Sequence, residues 1–114
     1  MSTSLGDSGC ALYFCSCPDP ASAQRLAEAL VEQRLAACVS LLPGLRSVYR
    51  WNQQVEQADE VLLLIKSRDA LFSELSKLVC ELHPYELPEL IAVKVDSGLP
   101  GYLAWVLAET RDPA

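Results

Sequence analysis

His83 is the chain's one histidine, and it stands directly before Pro84 in the stretch CELHPYELPEL; Cys15 and Cys17 stand two apart in the apolar run CALYFCSC. Imidazole and thiolate together suit copper or zinc, because soft and borderline ions take nitrogen and sulfur donors, whereas magnesium wants oxygen. A spacing of two on a strand points both cysteines to one face, together with Tyr13. Two thiols facing one way can meet a ligand, and they can equally fill a core as small apolar residues. His83 likewise has two readings. It is a ligand, or it is only a helix stop, since a residue before proline is pushed out of helical dihedrals.

Other reactive residues give less. No Gly-x-Ser-x-Gly, HExxH or P-loop pattern accompanies the histidine, so no catalytic residue is assigned and an enzyme is not expected. Glu56, Asp59 and Glu60 read as a solvated strand end. Lys66 closes the apolar run VLLLI and either faces a pocket or reaches solvent. Cys80 lies opposite the leucine stripe of its helix and is expected at the outside.

Composition bounds the rest. A chain of 114 residues with 51% hydrophobic content forms one core, expected as a single domain over residues 10–114 behind a mobile tail of residues 1–9. The net charge of −6, with scattered Lys and Arg, argues against nucleic acid or an anionic membrane surface as partner. No apolar stretch approaches the roughly 20 residues that cross a bilayer. The stretch MSTSLGDSG has neither a basic nor an apolar region of a secretory signal, so a cytoplasmic location is expected. Five cysteines at irregular spacing fit reduced thiols better than a disulfide framework.

The elements that must position these residues follow from periodicity. Residues 10–17 read as a buried strand. Asp19-Pro20 opens a helix running to about Arg34, with Ala23, Leu26, Ala27 and Leu30 on its apolar face. Strands over 38–42 and 45–51 flank a bulge at Pro43-Gly44. Asn52-Gln53-Gln54 turns into a strand from about Val55 to Ile65, whose unalternating centre predicts cover on both faces. A helix over 69–82, a strand over 90–95 and a short apolar helix over 102–109 complete the chain. The order βαββαβ plus a helix predicts an α+β, ferredoxin-like fold: an antiparallel sheet with two helices on one face. RNA-recognition modules share that order, but the strands here lack their aromatic and basic pattern.

Three segments, RLAACVSLLPGLRSVYRW at 34–51, the E-x-x-x-E-V-L-L-L-I-K run from Glu56 to Lys66, and HPYELPEL at 83–90, together resemble the divalent-cation tolerance (CutA) family. The resemblance covers residues 10 to 110. It implies a homotrimer of ferredoxin-like subunits, similar to PII-type signalling proteins, with long hairpins and final strands pairing between copies. It also implies a role in divalent-metal tolerance and copper binding, zinc being the other candidate ion, with ligands at Cys15 and His83. Two departures stand out. The hairpin turn holds Asn52-Gln53-Gln54 where many relatives have glycine, and Leu82 stands where some carry a second histidine. Two other functions share the architecture: a PII-like trimer that binds a small anion or metabolite through Lys66 and the tyrosines, and a trimeric scaffold without a ligand.

Overall fold

The computed structural model describes residues 8–114; the N-terminal segment expected to be mobile falls, for residues 1–7, outside the described residues. Strand β1 (Cys10–Cys17) leads to helix α1 (Pro20–Glu32), then β2 (Cys38–Trp51), β3 (Gln54–Arg68), a single 3-10 turn (Asp69–Leu71), α2 (Phe72–Leu82), β4 (Ile91–Lys94) and α3 (Pro100–Glu109). The four strands form one antiparallel sheet in the order β2-β3-β1-β4. This is the expected ferredoxin-like arrangement, with β1 and β3 in the middle.

Local chemistry sets the boundaries. The Asp19 carboxylate accepts from the Ser22 N–H at 2.7 Å, and Pro20 fills the first helical position, so α1 starts as its sequence dictates. It ends two residues before Arg34, where it was expected to. Arg34 adopts φ +58, and the Leu35 and Arg34 amides bond back to Leu30 and Val31. That is a left-handed cap of the kind usually given to glycine. In β2 the Pro43-Gly44 break is a bulge inside one long strand: the register passes from Leu42↔Leu62 to Leu45↔Glu60, with Gly44 at φ +88.

One face of the sheet carries α1 and α2. Tyr13, Cys15 and Cys17 of β1 and Val61, Leu63 and Ile65 of β3 are buried there against Leu26 and Leu30 of α1 and Leu75 and Val79 of α2. Tyr13 is fully enclosed, and its hydroxyl donates to the Arg68 carbonyl at 2.7 Å, which satisfies the polar tip. Burial, then the charge of Asp69, pushes that phenol up to about 12.

The expected cover on both faces of β3 is not realised within the chain. Leu62 and Leu64 alternate with the buried residues and are half-buried on the second face, beside Leu12 and Phe14 of β1. Ile91 and Val93 of β4 extend this face and are 56% and 52% exposed. Helix α3 packs at one end of the sheet and buries Val106, while Tyr102 and Trp105 stay half-exposed. Arg68 fixes α3 by donating to the Leu107 carbonyl at 2.6 Å and the Thr110 hydroxyl at 2.8 Å.

The β2–β3 hairpin closes through two residues, with Trp51 paired to Gln54, and both Asn52 (φ +50) and Gln53 (φ +66) are left-handed. Such a turn matches strand twist but favours glycine at its second position. Gln53→Gly is expected to stabilise the fold by roughly 0.5–1 kcal/mol, read as a higher guanidinium midpoint at unchanged m value. An unchanged or lower midpoint would mean that Gln53 carries no strain.

Candidate metal centre

The segment Cys15-Ser16-Cys17 ends β1, and alternation turns both thiols toward the helices. Helix α2 runs over this face and stops at His83, whose extended dihedrals (φ −74, ψ 135) obey the following proline while its N–H still bonds to the Val79 carbonyl at 2.8 Å. The ring therefore drops onto the end of β1. The ligand atoms of Cys15, Cys17 and His83 lie within 4.8 Å of one another, and all three residues are buried. Donors of a tetrahedral ion with bonds of about 2.0–2.3 Å stand roughly 3.4–3.8 Å apart, so small side-chain rotations would close the cluster on an ion. By chemistry and spacing the residues present fit a soft or borderline metal.

The backbone decides the imidazole tautomer. The Tyr85 N–H donates to Nδ1 at 3.1 Å, so Nδ1 carries the lone pair; Nε2, 2.7 Å from the Ser16 carbonyl, carries the proton and donates it. His83 thus stops the helix as the sequence allows, and its ring also ties the helix end to the first strand. The thiols influence each other strongly. Contact with Cys17, then burial and the charges of Glu89 and Glu60, pushes the Cys15 thiol up, while contact with Cys15 draws Cys17 down.

On the other face of the sheet, to which Ser16 turns its side chain, lies a groove of about 310 Å³ between the hairpin and the loop after α2, lined by Ser16, Tyr49, Trp51, Glu60, Tyr85 and Glu89 among others. Glu60 corrects the reading of a solvated strand end: it is 7% exposed, and its carboxylate accepts from the Tyr85 hydroxyl at 2.7 Å. Burial, then this carboxylate, pushes the Tyr85 phenol up. Asp59 does remain at the surface, paired with Arg46 at 3.0 Å.

Sequence reasoning named Cys15 and His83, which lie on elements far apart in the chain, and the fold brings them together within one subunit. Cys17 joins them, a neighbour signalled by the spacing of two but not chosen. Glu60 and Tyr85, 25 residues apart, had no sequence signal for their pairing. Lys66 lies elsewhere, on the second face, with Nζ donating to the Ser40 hydroxyl at 2.5 Å. Cys80 is exposed, as its helical phase required.

Comparison with known proteins points to one family and one fold. The family model described as CutA1 divalent ion tolerance protein matches residues 11–109. The divalent-cation tolerance protein CutA of Pectobacterium atrosepticum is 48% identical over 100 residues, covering 88% of this chain and 91% of that protein. Protein CutA of Mus musculus is 45% identical over 93 residues, 82% of this chain but 52% of its own length, so the chain spans about half of that relative. The crystal structure of CutA from Xylella fastidiosa superposes with a TM-score of 0.88 at 46% identity, over 90% of this chain and 99% of that one.

Because Glu60 is buried, the Tyr85 hydroxyl matters to stability through that carboxylate. Tyr85→Phe is expected to cost about 1–2 kcal/mol, and less in a Glu60→Gln background, where no charge is left without its donor. A double-mutant cycle on denaturant unfolding checks this; equal losses in both backgrounds would show that the two side chains act independently.

Proposed function

This chain belongs to the CutA1 divalent ion tolerance family, and from that premise we propose that it is a metal-binding protein whose ion, copper or alternatively zinc, is held by Cys15 and His83. The observation that supports this is the buried meeting of thiol and imidazole at the junction of β1 and α2. When bound, the ion supplies charge and coordination; the chain supplies the donors, the Ser16 carbonyl that orients the ring, and a core that excludes water. Binding and response to metal, rather than catalysis, is the role that this donor set serves. The five free thiols suit a reducing compartment such as the cytoplasm. No described helix is long and apolar enough to cross a membrane.

We further infer that the protein works as a homotrimer. The half-buried second face of the sheet and the exposed Val48 and Val55 of the hairpin favour cover by other copies. Strands β2 and β4 also leave sheet edges for pairing. Light scattering at micromolar concentration is expected to give three times the 12.5 kDa chain mass, and a monomer mass would remove this assembly.

Copper titration of the reduced protein against a competing chelator tests the site. Cys15→Ser and His83→Ala are each expected to weaken binding at least about 10-fold with the fold retained, and Cys80→Ser to leave it unchanged. A Cys15→Ser/His83→Ala double variant that binds copper as tightly as wild type would reduce His83 to a helix stop and a structural tie.

A further inference from the structure

We propose that Cys17 is the third protein ligand of this centre, and that with Cys15 and Nδ1 of His83 it forms a two-thiolate, one-imidazole set suited to a zinc-class dication. This rests on the reading of the cluster as a metal centre and deepens it.

The geometry makes no distinction between the two thiols. Both are fully buried, both belong to the face under α2, and each places its sulfur within 4.8 Å of the other and of the imidazole. One tripeptide supplies everything on the strand side. Cys15 and Cys17 bring the sulfurs, and Ser16 between them turns its side chain to the opposite face while its carbonyl accepts the Nε2 proton at 2.7 Å. A metal-ligating histidine usually donates its non-ligating N–H to a backbone carbonyl or carboxylate, which fixes ring orientation and tautomer. That partner is already in place here, and it leaves Nδ1 as the donor. Its present occupant is a single N–H, from Tyr85 at 3.1 Å, which an ion would displace.

Charge selects the ion. Two thiolates and a neutral imidazole around a dication sum to zero, the state that burial favours. Around monovalent copper the same set keeps a net negative charge, in surroundings to which Glu60, Glu89 and Asp19 bring negative charge and Arg25 a positive one. Oxygen-seeking ions such as magnesium and manganese find no oxygen donor in the set.

The test uses the full reduced chain. X-ray absorption at the zinc edge of zinc-loaded wild type is expected to count two sulfurs, and C17S one. Competition with a chromophoric chelator is expected to show zinc weakened on the order of 100-fold in C17S. Cobalt(II), used as a spectroscopic probe, is expected to lose about half of its thiolate charge-transfer intensity in C17S. Wild type that holds zinc through one sulfur, or C17S with unchanged affinity and spectrum, overturns the role of Cys17 while leaving Cys15 and His83 as ligands. Wild type that holds neither metal overturns this proposal and the metal-centre reading together. If C17S does not fold by circular dichroism, the sulfur count on wild type decides: two supports Cys17, one removes it.

Discussion

The central strand pair, β1 against β3, carries the rest of the molecule. Its register sets Tyr13 opposite Ile65, Cys15 opposite Leu63 and Cys17 opposite Val61, and every one of these side chains enters the core under the helices. Because side chains alternate with a period of two, a slip of one residue would turn this whole set to the other face. The two cysteines would then leave α2, and Ser16 would present a side chain to His83 where it now presents a carbonyl. Burial of the leucines and isoleucine thus fixes where the thiols stand.

His83 is the joint between this sheet and the loop after α2. Its ring is bonded on both nitrogens to backbone, to the first strand on one side and to the loop after α2 on the other. The same loop carries Tyr85, whose hydroxyl satisfies the buried Glu60 on β3. A change at one ring nitrogen therefore reaches the aromatic groove in two hydrogen bonds. An ion that took Nδ1 would have to displace the Tyr85 amide.

The second face of the sheet has a different status. Leu12, Phe14, Leu62 and Leu64 form an apolar centre that α3 covers only at one end, where Arg68 holds it. A sheet facing water on one side usually alternates apolar with polar residues, and this one does not. The long hairpin adds to the exposed surface and draws the molecule out to 52 Å along its main axis. Both features favour the proposed assembly, in which other copies would supply the burial missing from one chain.

Much of this fold is legible in sequence because its signals are local. Apolar periodicity marks each helix and strand, Asp19-Pro20 starts α1, Pro84 stops α2, and Pro43-Gly44 marks the bulge. Where boundaries differ, the cause is a backbone state that sequence does not advertise: Arg34 in a left-handed cap, or Gln53 in a turn that glycine would favour. Residue types also narrowed the chemistry to thiol and imidazole. What only tertiary structure decided is which of them meet. The helix α2 lays His83 across the end of β1, 67 residues away in the chain, and selects Cys15 and Cys17 while leaving Cys10, Cys38 and Cys80 apart. The tautomer of His83 and the burial of Glu60 depend on the same long-range packing, because each is set by a partner that proximity in sequence cannot supply.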